Sequence, residues 1–195
     1  MSSSRSRRTL PWATLALSML TVGALSTATV QAATYLQLSL DERLERAVDV
    51  FVGEVVRVDA ERREDDPWTL VTFRVERWFL HGDALDESGP AEVTLAFLGG
   101  EAPGAPARAV AGFPSFERSE RYLVASYGAQ SRAASPLVGV TQGLWRERDG
   151  VWRDPAGGAL ALDGAGTLVL GDDGVPGEQW RPALEARLRS LRGEP

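Results

Sequence analysis

Val50-Phe51-Val52-Gly53-Glu54-Val55-Val56-Arg57-Val58 is dense in β-branched and apolar side chains with hardly a polar break. Such a run reads as a buried strand. Gly53 in its middle predicts a bulge or sharp bend. Downstream, the charged stretch Asp59 to Asp66 ends at Pro67 and reads as a solvated hairpin loop. The returning strand is expected over Trp68 to Phe79. There Val71, Phe73, Val75 and Phe79 alternate with Thr72, Arg74, Glu76 and Trp78, which puts Trp78 on the more polar face. After a turn at His81-Gly82-Asp83, Glu92 to Leu98 alternates again. Gly99-Gly100-Glu101 then opens a segment rich in Gly, Pro and Ala that runs to about Phe116. A loop of that length inside a compact domain is usually functional or mobile.

Further strands are expected over Arg121 to Tyr127 and over Leu137 to Arg148, the latter interrupted at Gln142-Gly143. Asp149-Gly150 is a type I′ hairpin signal. Leu160 to Leu162 and Thr167 to Leu170 flank a weaker one. Upstream of the deciding strand, Thr34 to Leu38 reads as a short edge strand. Ser39-Leu40-Asp41-Glu42 is a capping box that starts a helix ending near Asp49. From Glu178, Trp180, Leu184, Leu188 and Leu191 recur at helical spacing, with Pro182 in the first turn. This helix reads as a structural lid. The expected fold is mostly β: a small OB-like closed or nearly closed barrel with an N-terminal helix and a C-terminal amphipathic helix, a β-sandwich being the alternative.

The first residues read as an export signal. Arg5, Arg7 and Arg8 precede an uncharged stretch whose most apolar part is Trp12 to Leu25, short for a membrane span. Small residues follow, and cleavage is expected after Ala32 or Ala33; an uncleaved anchor is the alternative. Ser6-Arg7-Arg8-Thr9-Leu10 also resembles a twin-arginine signal, so export through that route or the general one stays open. Residues 33–195 would then form one domain of secreted or periplasmic location, with no stable membrane span after cleavage. Cleavage removes three of the 21 basic residues and none of the 27 acidic ones, leaving a charge of −9. The basic residues are all Arg, and there is no Cys, so no disulfide supports the core. Acidic charge argues against nucleic acid and anionic membrane surfaces as partners.

Several short motifs occur together in order. They are Leu38-Ser39-Leu40, Ala47 to Val55, Thr72-Phe73-Arg74-Val75-Glu76 with its turn at Gly82, and Gly99-Gly100-Glu101. Gly112-Phe113-Pro114 with Phe116, Glu120-Arg121-Tyr122-Leu123-Val124, Gln142-Gly143-Leu144-Trp145 and the terminal helix complete the set. In this the chain resembles a group of uncharacterised secreted bacterial proteins over most of residues 34–192. More distantly, the Asp49 to Val58 strand, the long strand after it and the Glu120 to Ser126 strand resemble tissue inhibitors of metalloproteinases. That resemblance implies an OB-type barrel of the netrin-module kind and a metalloprotease partner. Those inhibitors bind the protease zinc through an N-terminal Cys. This chain has none, and its mature N-terminus would offer only a free α-amine at Ala33 or Thr34.

Catalytic motifs are sparse. His81 is the one His and sits in an expected turn, where it reads as a solvated residue rather than the centre of a triad or zinc site. Ser115 lacks the flanking glycines of a nucleophile elbow. Gly99-Gly100 and Gly104 make no phosphate loop, and Asp172-Asp173-Gly174 lacks the other ligands of a calcium loop. Asp65 with Asp66, and Asp83 with Asp86, read as solvated loop carboxylates. No cofactor or metal motif is found. The candidate binding residues are therefore Gly99, Gly100, Glu101, Phe113, Pro114 and Phe116 of the long loop, with Trp78 as a surface aromatic. The expected function is a non-enzymatic module that binds a secreted or periplasmic protein. The alternatives are a hydrolase acting through carboxylates such as Glu101 and a structural envelope protein.

Overall fold

The computed structural model describes residues 36–82, 84–85 and 89–193. The export signal, its cleavage sites at Ala32 and Ala33, and the carboxylates of Asp83 and Asp86 lie outside the described residues.

The fold is mostly β. Eight strands form one antiparallel sheet in the order β3-β2-β1-β4-β5-β6-β7-β8. They are β1 (Asp49–Arg63), β2 (Asp66–His81), β3 (Glu92–Leu98), β4 (Arg121–Ser126), β5 (Leu144–Arg148), β6 (Val151–Arg153), β7 (Ala159–Leu162) and β8 (Leu168–Gly171). Helices α1 (Leu40–Glu45) and α2 (Arg181–Arg192) flank it. The ladder does not close on itself among the described residues. At the end of β3 the Leu98 N–H donates to the Ala134 carbonyl of the β4–β5 connection at 2.8 Å.

Both faces of the central strands are covered, which is why β1 reads as an unbroken apolar run. Val50 and Val52 point to one core, with Leu44, Leu123, Ala125, Trp145, Leu160, Trp180, Leu184 and Leu188. Phe51 and Val55 point to the other, with Phe73, Leu95, Phe97, Tyr122 and Val124. Each Val, Leu or Phe among them contributes roughly 1.5–3 kcal/mol by leaving water. The expected bulge at Gly53 is present as a register shift between Val52 and Gly53. A Cβ on Gly53 would stand 3.0 Å from the Arg74 carbonyl, so the close approach needs glycine.

The same irregularity corrects the reading of Trp78. Val52 pairs with Arg77 and Gly53 with Val75, so Glu76 is an extra residue on β2. That bulge inverts the alternation. Trp78 therefore faces Phe51, is 4% exposed, and donates from Nε1 to the Pro90 carbonyl.

Other boundaries also moved. Asp59 to Arg63 pairs with Asp66 to Leu70, so the expected charged loop is the arm of a long hairpin turning at Glu64 and Asp65. Residues 36–38 carry no strand. The Ser39 cap and its reciprocal Glu42 contact are present, but α1 stops at Glu45 because β1 takes over at Asp49. Only Leu144 to Arg148 of the expected 137–148 strand is regular. Asp149 and Gly150 both adopt positive φ, as a type I′ turn requires. On α2, Leu184 and Leu188 are buried against the sheet.

Candidate functional site

Two glycines carry the chain from β3 into the long loop. Gly99 and Gly100 hold φ near 106° and 105°, a region closed to other residues at little cost. The Gly99 N–H donates to the Pro67 carbonyl, and Thr69 donates from Oγ1 to the Gly99 carbonyl at 2.9 Å. A Cβ on Gly100 would sit 2.4 Å from that hydroxyl. Gly100 and Arg108 then exchange both backbone hydrogen bonds, which closes a small hairpin, and Arg108 is held to Asp66.

The chain turns at Val110 to Phe113 and comes back as the ridge Phe113-Pro114-Ser115-Phe116. Phe116 anchors it. Its ring lies 4.9 Å from that of Phe97, 5.4 Å from Tyr122 and 5.9 Å from Phe73. Between hairpin and ridge runs a groove of about 530 Å³. Gly99, Gly100, Glu101, Phe113, Pro114 and Phe116 all line it, so six of the seven expected binding residues meet in one place. Trp78 is not among them. Val58, Phe97, Phe113 and Phe116 give the groove apolar lining, and the exposed Glu101 lines it too.

Ser115 also lines the groove, with no base hydrogen-bonded to it among the described residues. His81 lies at the end of β2, where Nδ1 is 2.9 Å from the buried Asp49 carboxylate and the ring rests on Trp78. No hydroxyl is bonded to that imidazole among the described residues. Asp65 pairs with Arg62, and Asp66 with Arg108. Among the described residues no cluster of three His, Cys, Asp or Glu side chains could hold a metal ion. No helix among them is long and apolar enough to cross a membrane.

Three charged clusters were missed in the sequence. Arg43 and Asp154 form a buried ion pair at 2.7 Å. Arg121 lies over Trp152 and meets Glu76, Glu147 and Glu178, the Glu76 hydrogen bonds raising its pKa most. Arg146, Arg148 and Arg153 share one face of the β5–β6 hairpin. Only the last was legible, because the Asp149-Gly150 turn fixes which residues stand opposite each other.

Tyr122 gives a pH test of this region. Burial, reinforced by the charge of Glu117 and opposed by that of Arg148, pushes its phenol up to about 12. The unfolded chain therefore loses this proton first, and the stability it contributes is complete below about pH 10 and lost as pH rises through about 12. Unfolding midpoints measured across that window should fall, and Tyr122→Phe should flatten the slope. An unchanged slope would show that Tyr122 is not the group responsible.

Comparison with family models, with curated proteins and with solved structures found no match.

Proposed function

We propose that the chain is an exported, non-enzymatic binding module that captures a secreted or periplasmic protein in the groove between the Gly100–Arg108 hairpin and the Phe113–Phe116 ridge. One observation carries this reading: residues scattered from Gly99 to Phe116 line a single groove, the half-exposed aromatic rings of Phe113 and Phe116 among them. Aromatic anchors in a concave, partly desolvated setting are the usual source of binding energy at protein interfaces. The rim offers hydrogen-bonding backbone and one free carboxylate, and no nucleophile paired with a base.

An OB-like curl of strands β3-β2-β1-β4-β5 fits the reading. The Leu98–Ala134 hydrogen bond supports it by drawing the free edge of β3 toward the β4–β5 connection. The resemblance to metalloproteinase inhibitors makes a secreted metalloprotease the first partner to test.

The test is capture of proteins from the extracytoplasmic fraction by the immobilised chain from Ala33 onward, followed by inhibition assays on any captured protease. Phe113→Ser should weaken capture about thirtyfold or more. Glu101→Arg, on the exposed rim, should alter it without touching the fold. Capture indifferent to both changes would remove the groove from the interaction. Loss on acetylating the α-amine would move the contact to the N-terminus.

A further inference from the structure

A second groove, of about 410 Å³, lies on the other side of the same ridge and shares Pro114 and Ser115 with the first. Its floor is Tyr122 and Leu144, both buried. Its charge comes from one hairpin. The two-residue turn sets Arg146 opposite Arg153 and Arg148 opposite Val151. Residues two apart on a strand, and residues directly opposite, emerge on one face. Arg146, Arg148 and Arg153 therefore stand together.

Like charges directly opposite destabilise a sheet, and here only one of the three is cancelled. Arg146 is paired with Glu120. Arg153 donates to the carbonyls of Gly157 at 3.1 Å and Asp172 at 2.9 Å, which position the guanidinium without neutralising it. Arg148 makes no ion pair among the described residues. Asp154 borders the groove, but its carboxylate is taken by Arg43 and by the N–H groups of Ala156 and Gly158. Two guanidiniums without an ion-pair partner among the described residues thus share a groove, with the exposed Glu117 near enough to its floor to act on Tyr122, in a chain that is acidic as a whole.

We propose that this groove binds an extended acidic segment of the partner protein, with alternate carboxylates on Arg148 and Arg153. The inference rests on the reading of the chain as a binding module. Arg148 and Arg153 are diagonal neighbours, roughly 7–8 Å apart at Cα. Alternate side chains of an extended peptide repeat at roughly 6.5–7 Å. The guanidinium fork matches a carboxylate in two parallel hydrogen bonds. The acidic remainder of the surface repels such a segment elsewhere and so steers it to this place.

The probe is a labelled octapeptide alternating Glu and Thr, titrated with the full chain and followed by fluorescence anisotropy at low and physiological ionic strength. Binding should weaken with salt. Arg148→Gln, an exposed change that removes no internal contact, should weaken it about tenfold or more, and adding Arg153→Gln should abolish it. A Gln-Thr peptide should not bind. Unchanged affinity in Arg148→Gln overturns the proposal. So does equal binding of an octapeptide with its four Glu in one block, or of inorganic polyphosphate. If the peptide fails while Phe113-dependent capture stands, the acidic-segment inference falls alone. If capture is indifferent to Phe113 while the peptide binds as described, the first groove falls instead.

Discussion

Arg43→Ala should lower the free energy of unfolding by about 3–5 kcal/mol, among the largest losses available to a single substitution here. Arg43 is 1% exposed. Its Nε donates to the Leu38 carbonyl at 3.0 Å, and its Nη1 donates to the Gln142 carbonyl at 3.0 Å and to Asp154 at 2.7 Å. The guanidinium also lies over the buried Trp145 ring. Truncation leaves the Asp154 carboxylate inside the protein with only the Ala156 and Gly158 N–H groups to stabilise it. The loss measures the isolation of that charge rather than the net value of the pair. A joint change, Arg43→Met with Asp154→Asn, should therefore recover much of it. Urea titration is the measurement: the midpoint should drop at unchanged slope. A loss under about 1 kcal/mol would mean that the pair is solvated, as exposed pairs are.

Trp180→Ala should cost a similar amount, about 3–5 kcal/mol. Trp180 is fully buried just before α2, with its ring 5.8 Å from Phe79 and 5.5 Å from Trp152. Its Nε1–H and that of Trp152 both donate to the Gly177 carbonyl. Removing the ring opens a cavity under the start of the helix and deprives Trp152 of its neighbour. Hydrogen exchange should show α2 losing protection well before β1 and β4. Trp180→Phe keeps an aromatic body and loses the N–H and part of the ring, so it should cost less. Equal losses in the two variants would show that the phenyl body contributes nothing, placing the energy in the N–H and the outer part of the indole.

The strands were legible where periodicity alone decides them. Val50 to Val58, Glu92 to Leu98 and the Asp149-Gly150 hairpin each followed from apolar pattern and turn chemistry. Trp78 was not, because a bulge at Glu76 breaks the alternation and nothing in the residue types marks which residue is extra. The Asp59 to Asp66 stretch was read as loop on its charge. A hairpin arm that leaves the core has no apolar face to show, and its Arg57–Asp59 and Arg62–Asp65 pairs are solvated. The loop residues of the first groove could be named from Gly, Pro and Phe content. That they line one groove depends on the Gly100–Arg108 bridge, a contact within the loop that composition does not encode. Arg43 and Asp154 lie 111 positions apart, and no local pattern links them.

The way the sheet is covered bears on how the chain is made. The face of β1 and β4 that carries Val50, Val52, Leu123 and Ala125 is sealed by Trp145, Leu160, Trp180, Leu184 and Leu188, all of which follow β4 in the chain. During synthesis, a chain released only as far as Ser126 can pair β1, β2, β3 and β4 yet holds only the short helix α1, with Leu40 and Leu44, to lay over that face. It would present an apolar sheet to its surroundings, the kind of intermediate that aggregates or is held by chaperones. Emergence of α2 completes the cover, and a chain terminated before Trp180 leaves uncovered the part that Trp180, Leu184 and Leu188 seal.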